Sequence, residues 1–76
     1  MDWDLELDAE GLKCPLPVLR LQQGLRTLAP GQVLRLLATD PMAAIDVPHF
    51  CAEHGHGFLG ADTGGPCPAY LVRKGA

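Results

Sequence analysis

Cys14 stands in the run Gly11-Leu12-Lys13-Cys14-Pro15-Leu16-Pro17. Only the thiolate form of cysteine is a strong nucleophile, so what matters is whether its surroundings favour ionisation. The run predicts that they do. Pro15 suits the first position of a helix, where its missing N–H costs nothing. Pro17 is tolerated in the same turn. Cys14 is then at or beside the N-cap, where free N–H groups and the positive end of the helix dipole stabilise an anion. Lys13 is the candidate for electrostatic support of the thiolate. Gly11, Pro15 and Pro17 are the candidates for positioning it. The expectation is an exposed Cys14 with a lowered pKa.

The other thiols and imidazoles compete less well. His49, Cys51, His54 and His56 cluster in sequence, and zinc favours such ligands. Yet His49 lies about 200° round a helix from Cys51, so no metal is expected. Cys51 reads as a core residue. Cys67 precedes Pro68 at a turn-to-strand junction, either as an incidental thiol or as a redox partner of Cys14.

These residues need a scaffold, and the apolar periodicity supplies one. Asp2, Asp4, Glu6 and Asp8 alternate with Trp3, Leu5 and Leu7, which predicts a half-buried strand with a wet acidic face. Val18, Leu21, Leu25 and Leu28 make a helical stripe over residues 15–28, with Gly24 as a weak point. Residues 32–39 predict a covered, central strand with a single Arg35. Asp40 and Pro41 predict the N-cap and first position of a second helix, over residues 42–53. Pro48 predicts a kink or break inside it, and Gly55 ends it. Residues 56–63 and 68–74 predict a closing hairpin. The fold class is therefore α/β (α+β), a two-layer sandwich in the order β-α-β-α-β-β. A four-stranded mixed sheet carries both helices on one face, in one domain over residues 1–76.

The motifs resemble those of the TusA (SirA-like) sulfur-carrier family. The resemblance runs through Leu7-Asp8-Ala9-Glu10-Gly11-Leu12-Lys13 and Cys14-Pro15-Leu16-Pro17, a Cys-Pro-x-Pro motif. It continues through Ala38-Thr39-Asp40-Pro41, Asp46-Val47-Pro48-His49-Phe50-Cys51 and Gly55-His56. It implies the same sandwich and a persulfide carried on Cys14, in a sulfurtransferase relay that is not a stand-alone enzyme. The implied partners are a sulfur donor, either a cysteine desulfurase or a rhodanese-type protein, and an acceptor such as a DsrE-like protein or another relay. No cofactor is implied.

Composition narrows the classes. The chain has 76 residues, a formal charge of −3 and only six Lys and Arg, which argues against direct nucleic-acid binding. No apolar run reaches a membrane span, and the acidic start lacks the pattern of a signal peptide, so a cytoplasmic location is expected. Two other readings stay open: a regulatory or protein-interaction module, and a thiol–disulfide redox protein using Cys14 and Cys67.

Overall fold

The computed structural model describes residues 2–75. Strand β1 (Leu5–Ala9) leads into helix α1 (Leu16–Leu25), then strand β2 (Val33–Ala38) and helix α2 (Ala43–His54). Strands β3 (Gly57–Asp62) and β4 (Ala69–Arg73) close the chain. The sheet order is β1-β2-β4-β3, with β1 parallel to β2 and the other neighbours antiparallel. The expected mixed sheet, crossover and hairpin are all present.

Period-two burial explains which face the helices cover. Leu34, Leu36 and Ala38 of β2 are buried, whereas Val33, Arg35 and Leu37 alternate with them on the open face and are half-buried. From β4, Tyr70 and Val72 join the covered face. Leu21 and Leu25 of α1 and Val47, Phe50 and Cys51 of α2 complete the core. Cys51 is 1% exposed, as its reading as a core residue requires.

The open face is less acidic than the alternation of residues 2–8 predicts. Trp3, expected beside Leu5 and Leu7, instead lies against Arg35, whose guanidinium carbon is 4.4 Å from the ring centroid. Asp4 explains the departure. Its N–H donates to the Val33 carbonyl (2.8 Å) and its carboxylate accepts from the Val33 N–H (2.8 Å). The side chain of Asp4 thus takes part in the pairing, regular strand begins only at Leu5, and Trp3 is released from the alternation. Arg35 also meets Asp62 across the sheet, Nη2 to Oδ2 at 3.8 Å.

Three helix details correct the sequence reading. First, α1 ends at Leu25, not Leu28, and Lys74 Nζ donates to the Leu25 carbonyl (2.7 Å), supplying a cation at the C-terminus. Second, α2 runs through Pro48 without the break that was one of the two outcomes expected there. The carbonyl that loses its partner there belongs to Ala44, an exposed residue, so water can satisfy it. Third, α2 begins at Ala43 and not directly after Asp40. It ends as expected at Gly55, whose φ of 74° is left-handed.

Gly24 is required by packing. A Cβ there would lie 2.5 Å from Leu7 Cδ1 and 2.8 Å from Leu34 Cδ1. Leu34 is fully buried and has no free space to swing into. Gly24→Ala would gain about 1 kcal/mol of helix propensity but overpack the core by about 1–3 kcal/mol. The expected outcome is a net loss of stability, read as a lower urea midpoint. A higher midpoint would mean that the two leucines repack freely.

Candidate functional site

The carboxyl end of the parallel pair β1 and β2 carries two loops that hold Cys14 between them. After Ala9 the chain turns through Glu10, whose N–H donates to Asp8 Oδ1 (2.9 Å). Gly11 has φ of 77°, a left-handed conformation that glycine adopts without strain. Its N–H donates to Thr39 Oγ1 (2.9 Å), tying the loop to the end of β2. The Cys14–Pro15 peptide is cis. Pro15 is the N-cap residue of α1, one place earlier than expected, and Pro17 is buried in the first turn.

Asp40 is the hinge between the two loops. Its Oδ2 accepts from the Cys14 N–H (2.6 Å) and its Oδ1 from the Met42 N–H (3.0 Å). It therefore does the capping expected of it, but on a turn that precedes regular helix. These two amides hold its carboxyl below the ordinary carboxylate value, Met42 most strongly, with the nearby Lys13 charge adding to them. A depressed folded-state pKa means stability that is present above the unfolded value and is lost as pH falls through the folded one. Asp40→Asn is therefore expected to flatten the loss of stability below about pH 4, measured by urea unfolding across the acid range. An unchanged acid profile would rule this contribution out.

The thiol itself meets a different carboxylate. Cys14 is exposed, and its Sγ donates to Asp46 Oδ2 on α2 (3.0 Å). This hydrogen bond pushes the Cys14 thiol up, with loss of solvation and the charges of Asp46 and Asp40 acting in the same direction. The lowered pKa expected from the sequence is thus reversed in the free chain. Two local facts explain why the helix end does not win. The Leu16 N–H is taken by the Lys13 carbonyl (2.8 Å), and Pro17 has no N–H, so the first turn offers few free donors.

Lys13 and Cys14 also part company. Cys14 lines a groove of about 230 Å³ with Pro15, Val18, Asp46, His49, Phe50, Glu53 and His54. Lys13 lines a separate hollow of about 390 Å³ with Gly11, Leu12, Thr39, Asp40 and Pro41. The lysine charge reaches Asp40, as its effect on that carboxyl shows.

One face of α2 builds most of the groove. Asp46, His49, Phe50 and Glu53 recur at steps of three and four and so share that face. His49 pairs with Glu53, and the Phe50 ring meets His54 at a centroid distance of 4.5 Å. Phe50 also stacks on His56 at a centroid distance of 5.8 Å. His56 Nδ1 accepts from the Gly75 N–H (2.9 Å). The motifs around Cys14 give no sign of Asp46, and the signal that could find it is its helical spacing from Phe50 and Glu53, which puts the three on one surface.

The remaining thiols sit elsewhere. Burial pushes Cys51 up to about 11. Cys67 is half-buried, its Sγ 3.5 Å from the Pro68 carbonyl. Burial raises its pKa, followed by the charges of Glu10 and Asp8. Cys67 is not among the residues that line the Cys14 groove.

A family model described as sulfurtransferase TusA matches residues 5–74. The chain belongs to the TusA family. A protein named sulfur carrier protein TusA, from Pseudomonas entomophila strain L48, is 45% identical over 73 residues. That match covers 96% of this chain and 91% of the relative. The crystal structure of a SirA-like protein from Desulfitobacterium hafniense superposes with a TM-score of 0.73 at 24% identity. It covers 96% of this chain and all of the other, and it speaks for the shared sandwich. Among the described residues of this TusA-family chain, no helix is long and apolar enough to cross a membrane.

Proposed function

We propose that this chain is a sulfur carrier that takes a sulfane sulfur as a persulfide on Cys14 and passes it to an acceptor thiol. The observation that carries this reading is the placement of Cys14. It is an exposed thiol at a strand-to-helix junction, its backbone tied down by Asp40 and its sulfur open to a groove. The similarity to a protein named as a sulfur carrier supports it.

The chemistry balances without an added oxidant or reductant. The Cys14 sulfur, as thiolate, attacks the terminal sulfur of a donor persulfide. A new S–S bond forms on Cys14 as the donor S–S bond breaks, and the donor cysteine leaves as thiolate. The proton lost by Cys14 is matched by one taken up by the leaving thiolate. Hand-over repeats the exchange, with an acceptor thiolate attacking the terminal sulfur and Cys14 leaving. Gly11, Pro15 and Pro17 fix the loop geometry, and Lys13 acts on the loop through Asp40. Donor and acceptor proteins must dock on the Cys14 groove, because both exchanges happen at one exposed atom.

The test is intact-protein mass after incubation with a cysteine desulfurase and cysteine, or with thiosulfate and a rhodanese. The expected result is a gain of one sulfur atom, removed by a thiol reductant and mapped to the peptide containing Cys14. No gain with either donor would overturn the proposal.

A further inference from the structure

The Cys14 thiol points at a carboxylate, which is an unfavourable setting for a nucleophile that must ionise. Asp46 Oδ2 lies 3.0 Å from Sγ, in hydrogen-bonding geometry with the protonated thiol. Converting that thiol to a thiolate would place two negative groups in contact, so the contact stabilises the unreactive form. Asp46 sits on a regular helix turn, its N–H donating to the Met42 carbonyl (2.8 Å), so the backbone that carries the carboxylate belongs to a helix and not to a loop.

The other charged groups near the thiol do not relieve this. Asp40 holds the Cys14 N–H with a second carboxylate. Glu53 lines the same groove and is paired with His49, and His54 packs against Phe50. Lys13, the adjacent cation, lines the other hollow with Asp40. The free carrier thus presents a protonated thiol beside Asp46, with further carboxylates close by.

We propose that Asp46 is a latch that keeps Cys14 protonated in the free carrier, and that sulfur donors and acceptors release it by presenting a cationic group to the Asp46 carboxylate. This rests on the sulfur-carrier reading and adds to it the chemistry of the docking partner. Asp46 is a positioning residue acting on the thiol, and the latch has a clear use. A thiolate reacts with oxidants and disulfides in proportion to its population, so a contact that lowers this population in the free carrier slows such side reactions until a basic surface meets the groove. Pairing Asp46 with a cation removes both the hydrogen-bond acceptor and the repelling charge. The Cys14 proton then goes to solvent or to the leaving donor thiolate, and the exchange proceeds as described above.

Two measurements test the latch independently. The first is the pH dependence of Cys14 alkylation by iodoacetamide in the purified free chain, which involves no sulfur transfer. Asp46→Asn is expected to move the profile to lower pH and raise the rate at pH 7 by at least roughly fivefold, and Asp46→Ser is expected to do likewise. Asp62→Asn removes the same charge from the opposite face and is expected to leave the profile in place. The second measurement is the rate of loading from two synthetic cysteine-persulfide peptides, one flanked by lysines and one by glutamates. The wild-type chain is expected to load faster from the lysine peptide, and Asp46→Asn to lose most of that preference. Superimposable alkylation profiles for wild type and both Asp46 variants would overturn the latch, as would an equal shift in Asp62→Asn. A lysine preference that survives in Asp46→Asn would overturn the cationic-partner part. If Cys14 gains no sulfur from the desulfurase or the rhodanese while the alkylation profile still moves, the carrier reading fails and only the hold of Asp46 on the thiol proton stands.

Discussion

Cys14→Ser should abolish sulfur loading, whereas Cys51→Ser and Cys67→Ser should each still gain one sulfur. The thiol pKa directions alone do not produce this result, because all three thiols are pushed up. What separates them is access and the reversibility of the cause. Cys51 is 1% exposed among Val47, Phe50 and the sheet, and its burial is permanent while the fold lasts. A donor persulfide cannot reach it. Cys67 is half-buried beside Glu10 and Asp8, outside the groove. Cys14 is exposed, and the first cause of its shift is one hydrogen bond to a side chain that a partner can engage. Serine at position 14 keeps nearly the same shape and the backbone bond to Asp40, so the fold should survive while the nucleophile is gone. The measurement is intact mass after loading, quenched without reductant. Cys51→Ser buries a hydroxyl, which costs about 1–3 kcal/mol if unpartnered, so its loading should be read at a temperature where circular dichroism shows it folded. Sulfur retained on Cys14→Ser, or lost from Cys67→Ser, would move the carrier site.

The element order was legible because period-two and helical stripes are local properties. Leu34, Leu36 and Ala38 alternate, and Leu21 and Leu25 repeat along one helix face, whatever the rest of the chain does. The misreadings arose where one side chain took over a backbone role. Asp4 replaced a strand partner and freed Trp3, and Asp40 capped a turn before the regular helix began. Pro48 signals a break only through its local penalty, and the helix continues because the carbonyl it leaves unpaired belongs to exposed Ala44, where water can satisfy it.

The site divides in the same way. That Cys14 would stand at a strand-to-helix junction followed from its neighbours. Its charge environment did not, because Asp46 lies 32 residues away and arrives only when α2 packs beside α1. A helix N-terminus next to a lysine looks electropositive in one dimension. In three dimensions Lys13 shares a hollow with Asp40, the prolines leave few amides free, and the thiol meets Asp46. Electrostatics at contact distance depends on residues that sequence separation hides.

Leu21→Ala should remove a large share of the stability of this fold while leaving the chemistry at Cys14 nearly intact per folded molecule. Leu21 is fully buried on the face of α1 that meets β1, β2 and α2. Cutting it to alanine is expected to cost about 2–5 kcal/mol, through lost transfer energy and the cavity left behind. A domain of this length has about 4–11 kcal/mol in total, so a substantial fraction of the variant is expected to unfold with mild heating. The urea midpoint should fall with little change in slope, since the surface exposed on unfolding is nearly unchanged. The site should be less sensitive, because Cys14 does not depend on α1 alone. Its N–H is held by Asp40, from the loop after β2, and its sulfur by Asp46, from α2. Both anchors lie outside the helix that Leu21 secures. Loading measured at low temperature and divided by the folded fraction should therefore stay near the wild-type value. A clear fall in that ratio would mean that the packing of α1 on the sheet, and not the two carboxylates, sets the position of the thiol.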